Sequence, residues 1–189
     1  SYNSSMMRIL LVVVAFWLGM MWCKIGSAFD YNIIDKTKNP EAYCMAQNIL
    51  FEASVEPMAG KIAVGLVVLN RVNDNRYPNT ICEVIKQGPM YESWTTRKDT
   101  DLADEDRIYY PVKNRCQFSW YCDGKTDDTY PTENWYKSQI VGLQLLDGKY
   151  RGILEGATHY HATWVSPAWR HDLTFIGQVG DHLFYRWEN

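Results

Sequence analysis

A nearly unbroken apolar run, Ile62-Ala63-Val64-Gly65-Leu66-Val67-Val68-Leu69, constrains this chain most. It is too long for a typical strand, and helical signals flank it, so the spacing predicts a helix over Met58–Val72. A helix that is apolar nearly all round is expected to be buried on most sides. Ahead of it, Glu41 to Ser54 places Ala42, Met45, Ile49 and Leu50 at helical spacing. Glu56-Pro57 ends that pattern, because proline disfavours a helical residue before it. Tyr77-Pro78-Asn79-Thr80 opens a third, short helix through Lys86, with Asn79 or Thr80 as its cap. Asn134 to Leu146 reads as a further amphipathic helix that stops before Asp147-Gly148.

The last part of the chain changes character. Ala157 to Trp164 and Leu183 to Trp187 alternate and are rich in strand formers, as in a small antiparallel sheet. Gln87 to Arg115 is dense in charge and has no clear period. It reads as a surface excursion with room for a short helix, either shaping a cleft or simply solvated. Together these signals predict one α+β domain, mostly helical, with a minor antiparallel sheet.

Met6-Met7-Arg8, the apolar stretch Ile9 to Trp22, and the small residues Gly26 and Ala28 have the layout of a secretory leader. Residues 1–28 are therefore expected to be a signal peptide or, if uncleaved, an N-terminal membrane anchor. Residues 29–40 are expected to be a linker and residues 41–189 the working domain. Export places the protein in the periplasm or outside the cell. Cys23 falls in the leader. Cys44, Cys82, Cys116 and Cys122 remain, an even set that suits disulfides in an exported chain. Of three pairings, Cys44–Cys82 would tie two helices and Cys116–Cys122 would close a short loop. A zinc site lacks the paired CxxC spacing it would need.

Losing Arg8 and Lys24 with the leader takes the formal charge from −3 to −5. An acidic chain is poorly suited to nucleic acid, and an anionic polymer would have to be held by hydrogen bonds and stacking. A monomer is expected.

Glu52 stands among apolar neighbours late in the first helix. A carboxyl group pressed against apolar surface loses hydration, which favours its neutral form and raises its pKa. An acid still protonated near neutral pH can protonate a leaving oxygen. Glu56 is a second carboxyl four positions on, expected either in the substrate site or as a charge before the next helix.

Seven blocks resemble one family in order: Phe51-Glu52-Ala53, Glu56-Pro57, Gly60 to Val64, Val68-Leu69-Asn70-Arg71-Val72, Tyr77 to Cys82, Cys116 to Trp120, and Thr158-His159-Tyr160-His161. They are similar to the catalytic domain of SleB-type cell-wall hydrolases, the spore cortex-lytic enzymes and their relatives. The resemblance spans about Glu41 to Tyr185. It implies a lysozyme-like fold similar to that of lytic transglycosylases, and cleavage of peptidoglycan between N-acetylmuramic acid and N-acetylglucosamine. It also implies that Glu52 is the catalytic acid. Gln87–Arg115 is longer than in many relatives.

With peptidoglycan glycan strands as substrate, Glu56, Gln117, Ser119, Trp120, Tyr160 and His161 are the expected substrate-binding residues. Gln and Ser suit acetamido groups, and Tyr160 suits positioning the acid. Trp94, Trp120 and Trp164 are candidate sugar platforms, with core or loop packing as the plainer reading. Asn70 and Arg71 read as helix-end packing. His159 and His161 alternate on a strand and share a side, which with His171 or His182 raises a metal site. No HExxH pair supports it, so neither metal nor cofactor is expected. The alternative activity is a zinc-dependent N-acetylmuramoyl-L-alanine amidase cutting the peptide stem. A non-catalytic wall-binding role is the third class.

Overall fold

Helix α1 (Pro40–Ala53) begins on proline, where the missing N–H is not needed by the helix. This computed structural model describes residues 30–188, so the expected leader lies outside the described residues. Helix α1 buries Ala42, Met45, Ala46, Ile49 and Ala53, one stripe at intervals of three and four. Helix α2 (Met58–Val72) follows after the turn at Pro57. Helix α3 (Ile81–Lys86) is capped by Thr80, whose hydroxyl accepts the Glu83 N–H while donating to the Glu83 carboxylate. The Glu41 carboxylate of α1 accepts the backbone N–H groups of Ile81 (2.6 Å) and Cys82 (3.2 Å), placing negative charge at the start of α3. Cys44 and Cys82 form a disulfide between the same two helices, and Cys116 and Cys122 form the second.

The 87–115 excursion contains a hairpin that its sequence does not announce. β1 (Met90–Glu92) and β2 (Tyr109–Pro111) pair antiparallel, with helix α4 (Trp94–Arg97) and a 3-10 turn at Asp104–Asp106 between them. Strands of three residues are too short to show a period of two. After a 3-10 turn at Ser119–Cys122 comes helix α5 (Glu133–Leu146). The chain closes with β3 (Ala157–Ala162), a 3-10 turn at Ala168–His171, β4 (Thr174–Val179) and β5 (His182–Arg186), paired antiparallel in the order β3-β5-β4. β4 has no clean alternation, since Thr174, Phe175 and Gln178 are exposed and its register shifts between Phe175 and Gly177.

Helix α2 is buried from two sides. On one, Leu66 and Val68 join Met45 and Ile49 of α1 and Val141 and Leu145 of α5. On the other, Ala63 and Val67 meet Ala157 of β3 and Phe184 of β5. Gly65 permits the approach of α5, since a Cβ there would sit 2.3 Å from Leu145 Cδ1. The expected linker over 29–40 is not free chain where it is described. The Gln139 amide of α5 accepts the N–H groups of Ile33 and Ile34, both at 2.9 Å, and donates to the Tyr31 carbonyl. Among the described residues no helix is long and apolar enough to cross a membrane.

The Cys44–Cys82 bridge closes a separation of 38 residues and Cys116–Cys122 one of 6. Chain-entropy loss in the unfolded state scales with the logarithm of that length, giving about 4 and about 2 kcal/mol respectively. Replacing Cys44 and Cys82 together by alanine is therefore expected to cost more in urea unfolding than replacing the Cys116–Cys122 pair. An equal or reversed order would contradict the assignment of Cys44–Cys82 as the main covalent brace.

Candidate active site

Three elements meet at the C-terminal end of α1. Glu52 sits in its last turn, partly buried. The helix end is held by Lys61 of α2, a residue only 3% exposed, whose ammonium donates to the carbonyls of Ala53 and Ser54 (2.8 Å to the latter). A cation at the last carbonyls offsets the negative end of the helix dipole. Trp120 ties the 117–122 loop to the same helix. Its Nε1 donates to Asn48 Oδ1 at 2.9 Å and its ring stacks on Phe51 at 4.8 Å. β3 supplies Tyr160, whose hydroxyl donates to Glu52 Oε2 at 2.9 Å.

Glu52, Arg71, Gln117, Phe118, Ser119, His159, Tyr160 and Trp169 line a hollow of about 240 Å³. Glu52 and Ser119 also line an adjoining hollow of about 430 Å³ with Phe51, Trp120, Asp123, Lys125, Thr126 and Asp127. Glu52 and Ser119 therefore border both hollows, which together form the candidate cleft. Larger hollows, about 570 and 720 Å³, lie around Asn70 and Asn73. Size does not decide between them. Asp74 and Glu188, which line the larger, bond Arg76 and Arg186 and are held below the usual carboxylate range, so neither is poised to give up a proton.

Glu52 is poised the other way. Burial raises its pKa, and the Tyr160 hydrogen bond and the positive charge of Arg71 only partly oppose that. Tyr160 is pushed well above its ordinary value, by burial first and then by the neighbouring Glu52, so its hydroxyl stays a donor. Asp127, in the adjoining hollow, is also raised, by burial and by Asp123 and Asp128. His159 is lowered to about 4, by burial and then by the charges of Arg71 and Arg76, and is neutral at ordinary pH. Arg71 is 5% exposed. Its Nε donates to the Thr158 carbonyl at 2.8 Å, and its guanidinium lies over the rings of Tyr77 and Phe118 at 5.2 and 5.3 Å.

Of the residues named from sequence, Glu52, Gln117, Ser119, Trp120 and Tyr160 come together in the cleft. Glu56 and His161 do not. Glu56 turns to the tip of the β4–β5 hairpin, where its carboxylate accepts the Asp181 N–H at 3.3 Å and lies 3.5 Å from His182 Nδ1. It gives no side-chain cap to α2. His161 is buried beneath Tyr185, its Nε2 3.1 Å from the Tyr185 hydroxyl and its ring stacked on Tyr185. Trp120 has one face covered by Phe51, the Trp94 ring is covered by the Lys98 ammonium at 3.6 Å, and Trp164 is 75% exposed. Phe118 and Trp169 are cleft residues that sequence reasoning passed over, and Arg71 and His159, read there as helix-end packing and as a metal candidate, also line the cleft. A charge closing an apolar helix was the available signal for Arg71; Trp169 lies in a 3-10 turn with no period to read. Among the described residues no three His, Cys, Asp or Glu side chains converge as a metal site would require. His159 packs on Trp169 and Trp187 instead.

The sequence profile of the cell wall hydrolase family matches residues 55–185, and the chain belongs to that family. The match begins just after Glu52, so the case for that residue rests on its surroundings. No curated protein matches the chain. Among solved structures it is similar to the catalytic domain of the germination-specific lytic transglycosylase SleB from Bacillus anthracis, with TM-score 0.51 and 20% identity over 82% of this chain and 98% of that one. The catalytic domain of the Bacillus cereus SleB protein also aligns, with TM-score 0.46 and 22% identity over 85% and 100%. The fold is thus the lysozyme-like α+β fold of SleB catalytic domains.

Folding raises the Glu52 pKa above 4.5, so the folded chain binds this proton more tightly than the unfolded chain. Its contribution to stability is complete below that value and is lost as pH rises through the folded pKa. Glu52→Gln cannot ionise. It is expected to melt above the parent at about pH 8, with the gap closing by about pH 4. A gap in melting temperature independent of pH would contradict the burial-driven shift.

Proposed function

We propose that this cell-wall hydrolase cleaves the glycan strand of peptidoglycan between N-acetylmuramic acid and N-acetylglucosamine, with Glu52 as acid and then base. One observation carries the reading: a carboxyl desolvated toward its neutral form, bonded through one oxygen to Tyr160, on a residue that lines two neighbouring hollows. The family and the likeness to a lytic transglycosylase domain agree with it.

Tyr160 occupies Oε2, which leaves Oε1 to carry the proton toward the glycosidic oxygen. As that oxygen takes the proton, the bond to C1 of the muramoyl sugar breaks and positive charge develops at C1, assisted by the sugar's own side group. Glu52 becomes a carboxylate, and Tyr160 and the Arg71 charge stabilise it. The carboxylate then removes the proton from the 6-hydroxyl, whose oxygen closes on C1. The products are a free N-acetylglucosamine 4-hydroxyl and a 1,6-anhydromuramoyl end, and no water is consumed. Gln117 and Ser119, both exposed on the cleft wall, would hydrogen-bond acetamido groups of the strand. Asp127 favours one variant: its raised pKa and place in the adjoining hollow would suit it to guide water to C1, giving a reducing end. The stem-cutting amidase reading gains nothing from His159, His161 and His182, which are engaged with Trp169, Tyr185 and Glu56, or from His171, which is exposed beside Arg170. Export to the wall is part of the proposal, with residues 1–28 as leader, residues 41–189 as the catalytic region and the protein acting as a monomer.

Glu52→Gln is expected to lower release of soluble fragments from purified sacculi by about 10²- to 10⁴-fold. Mass spectrometry of the parent's products separates the variants, since an anhydro end is lighter than a reducing end by one water. Undiminished lysis by Glu52→Gln, or new amino groups in place of new sugar ends, would overturn the assignment. Tyr160→Phe removes a bond that favours the carboxylate. The alkaline limb of kcat/KM is therefore expected to move to higher pH, and an unmoved limb would argue against Tyr160 acting on the acid.

A further inference from the structure

The β1–β2 hairpin carries aromatic side chains that the folded core does not use. Tyr91 and Tyr110 are direct partners in the register, so their side chains stand on the same face. They are 53% and 48% exposed, and their rings lie 6.0 Å apart at 43°. A two-stranded hairpin is marginal alone, but this one is held at both ends. At its base, the Val112 N–H donates to Pro89, the Gln117 N–H donates to Gln87, and Gly88 packs so closely on Cys116 that a Cβ would lie 3.0 Å from its Cα. At its far end, the Arg107 guanidinium bonds Glu92, Asp104 and the Leu102 carbonyl. The exposed pair is therefore a fixed surface, and a preordered surface loses little freedom on binding.

The ligand class follows from chemistry and position. Ring faces pack against the C–H faces of pyranoses, while phenol hydroxyls bond hydroxyl and acetamido groups. The connection between the strands carries Asp99, Asp101, Asp104, Glu105 and Asp106 against Arg97, Lys98 and Arg107, and Arg107 is already paired. That balance disfavours an anionic bilayer and suits an uncharged polymer. The hairpin is rooted beside Gln117, a residue of the cleft wall, through the Gln117 N–H bond to the Gln87 carbonyl.

We propose that Tyr91 and Tyr110 form a non-catalytic platform for N-acetylhexosamine strands, holding wall glycan beside the Glu52 cleft. The naming of wall glycan rests on the function proposed above; the sugar-binding platform does not. The test uses the Glu52→Gln protein, with and without Tyr91→Ala and Tyr110→Ala, pelleted with insoluble chitin and with purified sacculi. The double substitution is expected to weaken both interactions about tenfold or more, as removal of aromatic anchors does. In the otherwise unaltered protein it is expected to raise KM on sacculi about tenfold and leave kcat on short soluble fragments unchanged. Circular dichroism checks that the fold is retained.

Unchanged pelleting and unchanged KM would overturn the platform while leaving glycan cleavage intact. Loss of chitin binding on double substitution, in a protein that never cuts glycan, would support the platform and sink the proposed activity. If the substitutions instead abolish binding to anionic phospholipid vesicles, or dissociate a dimer in sedimentation, the platform proposal is wrong.

Discussion

Burial of α2 from two sides sets the geometry of everything around it. Val64, Val67 and Val68 are fully buried, and an apolar helix of this kind needs a partner on each face. Helices α1 and α5 cover one face and the sheet covers the other. The cleft is a consequence. Glu52 reaches it from α1, Arg71 from the end of α2, and Tyr160 from β3. None of these positions is set by its own element alone. Lys61 adds a polar lock, since its buried ammonium serves the carbonyls that end α1, immediately after Glu52.

The proposed acid and base role would place two demands on one carboxyl. Donating a proton requires the neutral form to persist, and burial provides that. Taking a proton back requires the anion to be tolerable, and Tyr160 and Arg71 provide that. A site dominated by burial would trap the proton, and one dominated by Arg71 would never hold it. Arg71 is itself held on the Thr158 carbonyl and against the rings of Phe118 and Tyr77.

Much of this was legible in the chain, and what was not has physical reasons. The helices were readable because Ala42, Met45 and Ile49 repeat at helical spacing and Pro57 ends the run. The Thr80 cap was readable because a hydroxyl ahead of Glu83 makes a reciprocal pair. Glu52 stood out as an acid in apolar company. His161 was preferred to His159, yet both lie on the same side of β3 and both approach Trp169. The packing of Tyr185 on His161 and of Trp187 on His159 separates them, and these contacts come from residues more than twenty positions away. Glu56 lies next to the right residues in sequence but faces the hairpin tip at Gly180 and Asp181, which no local pattern reveals. Arg71 looked like a helix-end charge because its cleft neighbours come from the 117–119 loop and β3.

The central claim is that the Glu52 carboxyl stays protonated above the range of an ordinary glutamate. Carbon-13 NMR of carboxyl-labelled glutamate, with the Glu52→Gln spectrum subtracted to assign the signal, measures this in the intact protein. A Glu52 titration midpoint clearly above 4.5 is the expected result. A midpoint at or below 4.5 would mean that Tyr160 and Arg71 outweigh burial, and the carboxyl could not serve as the acid.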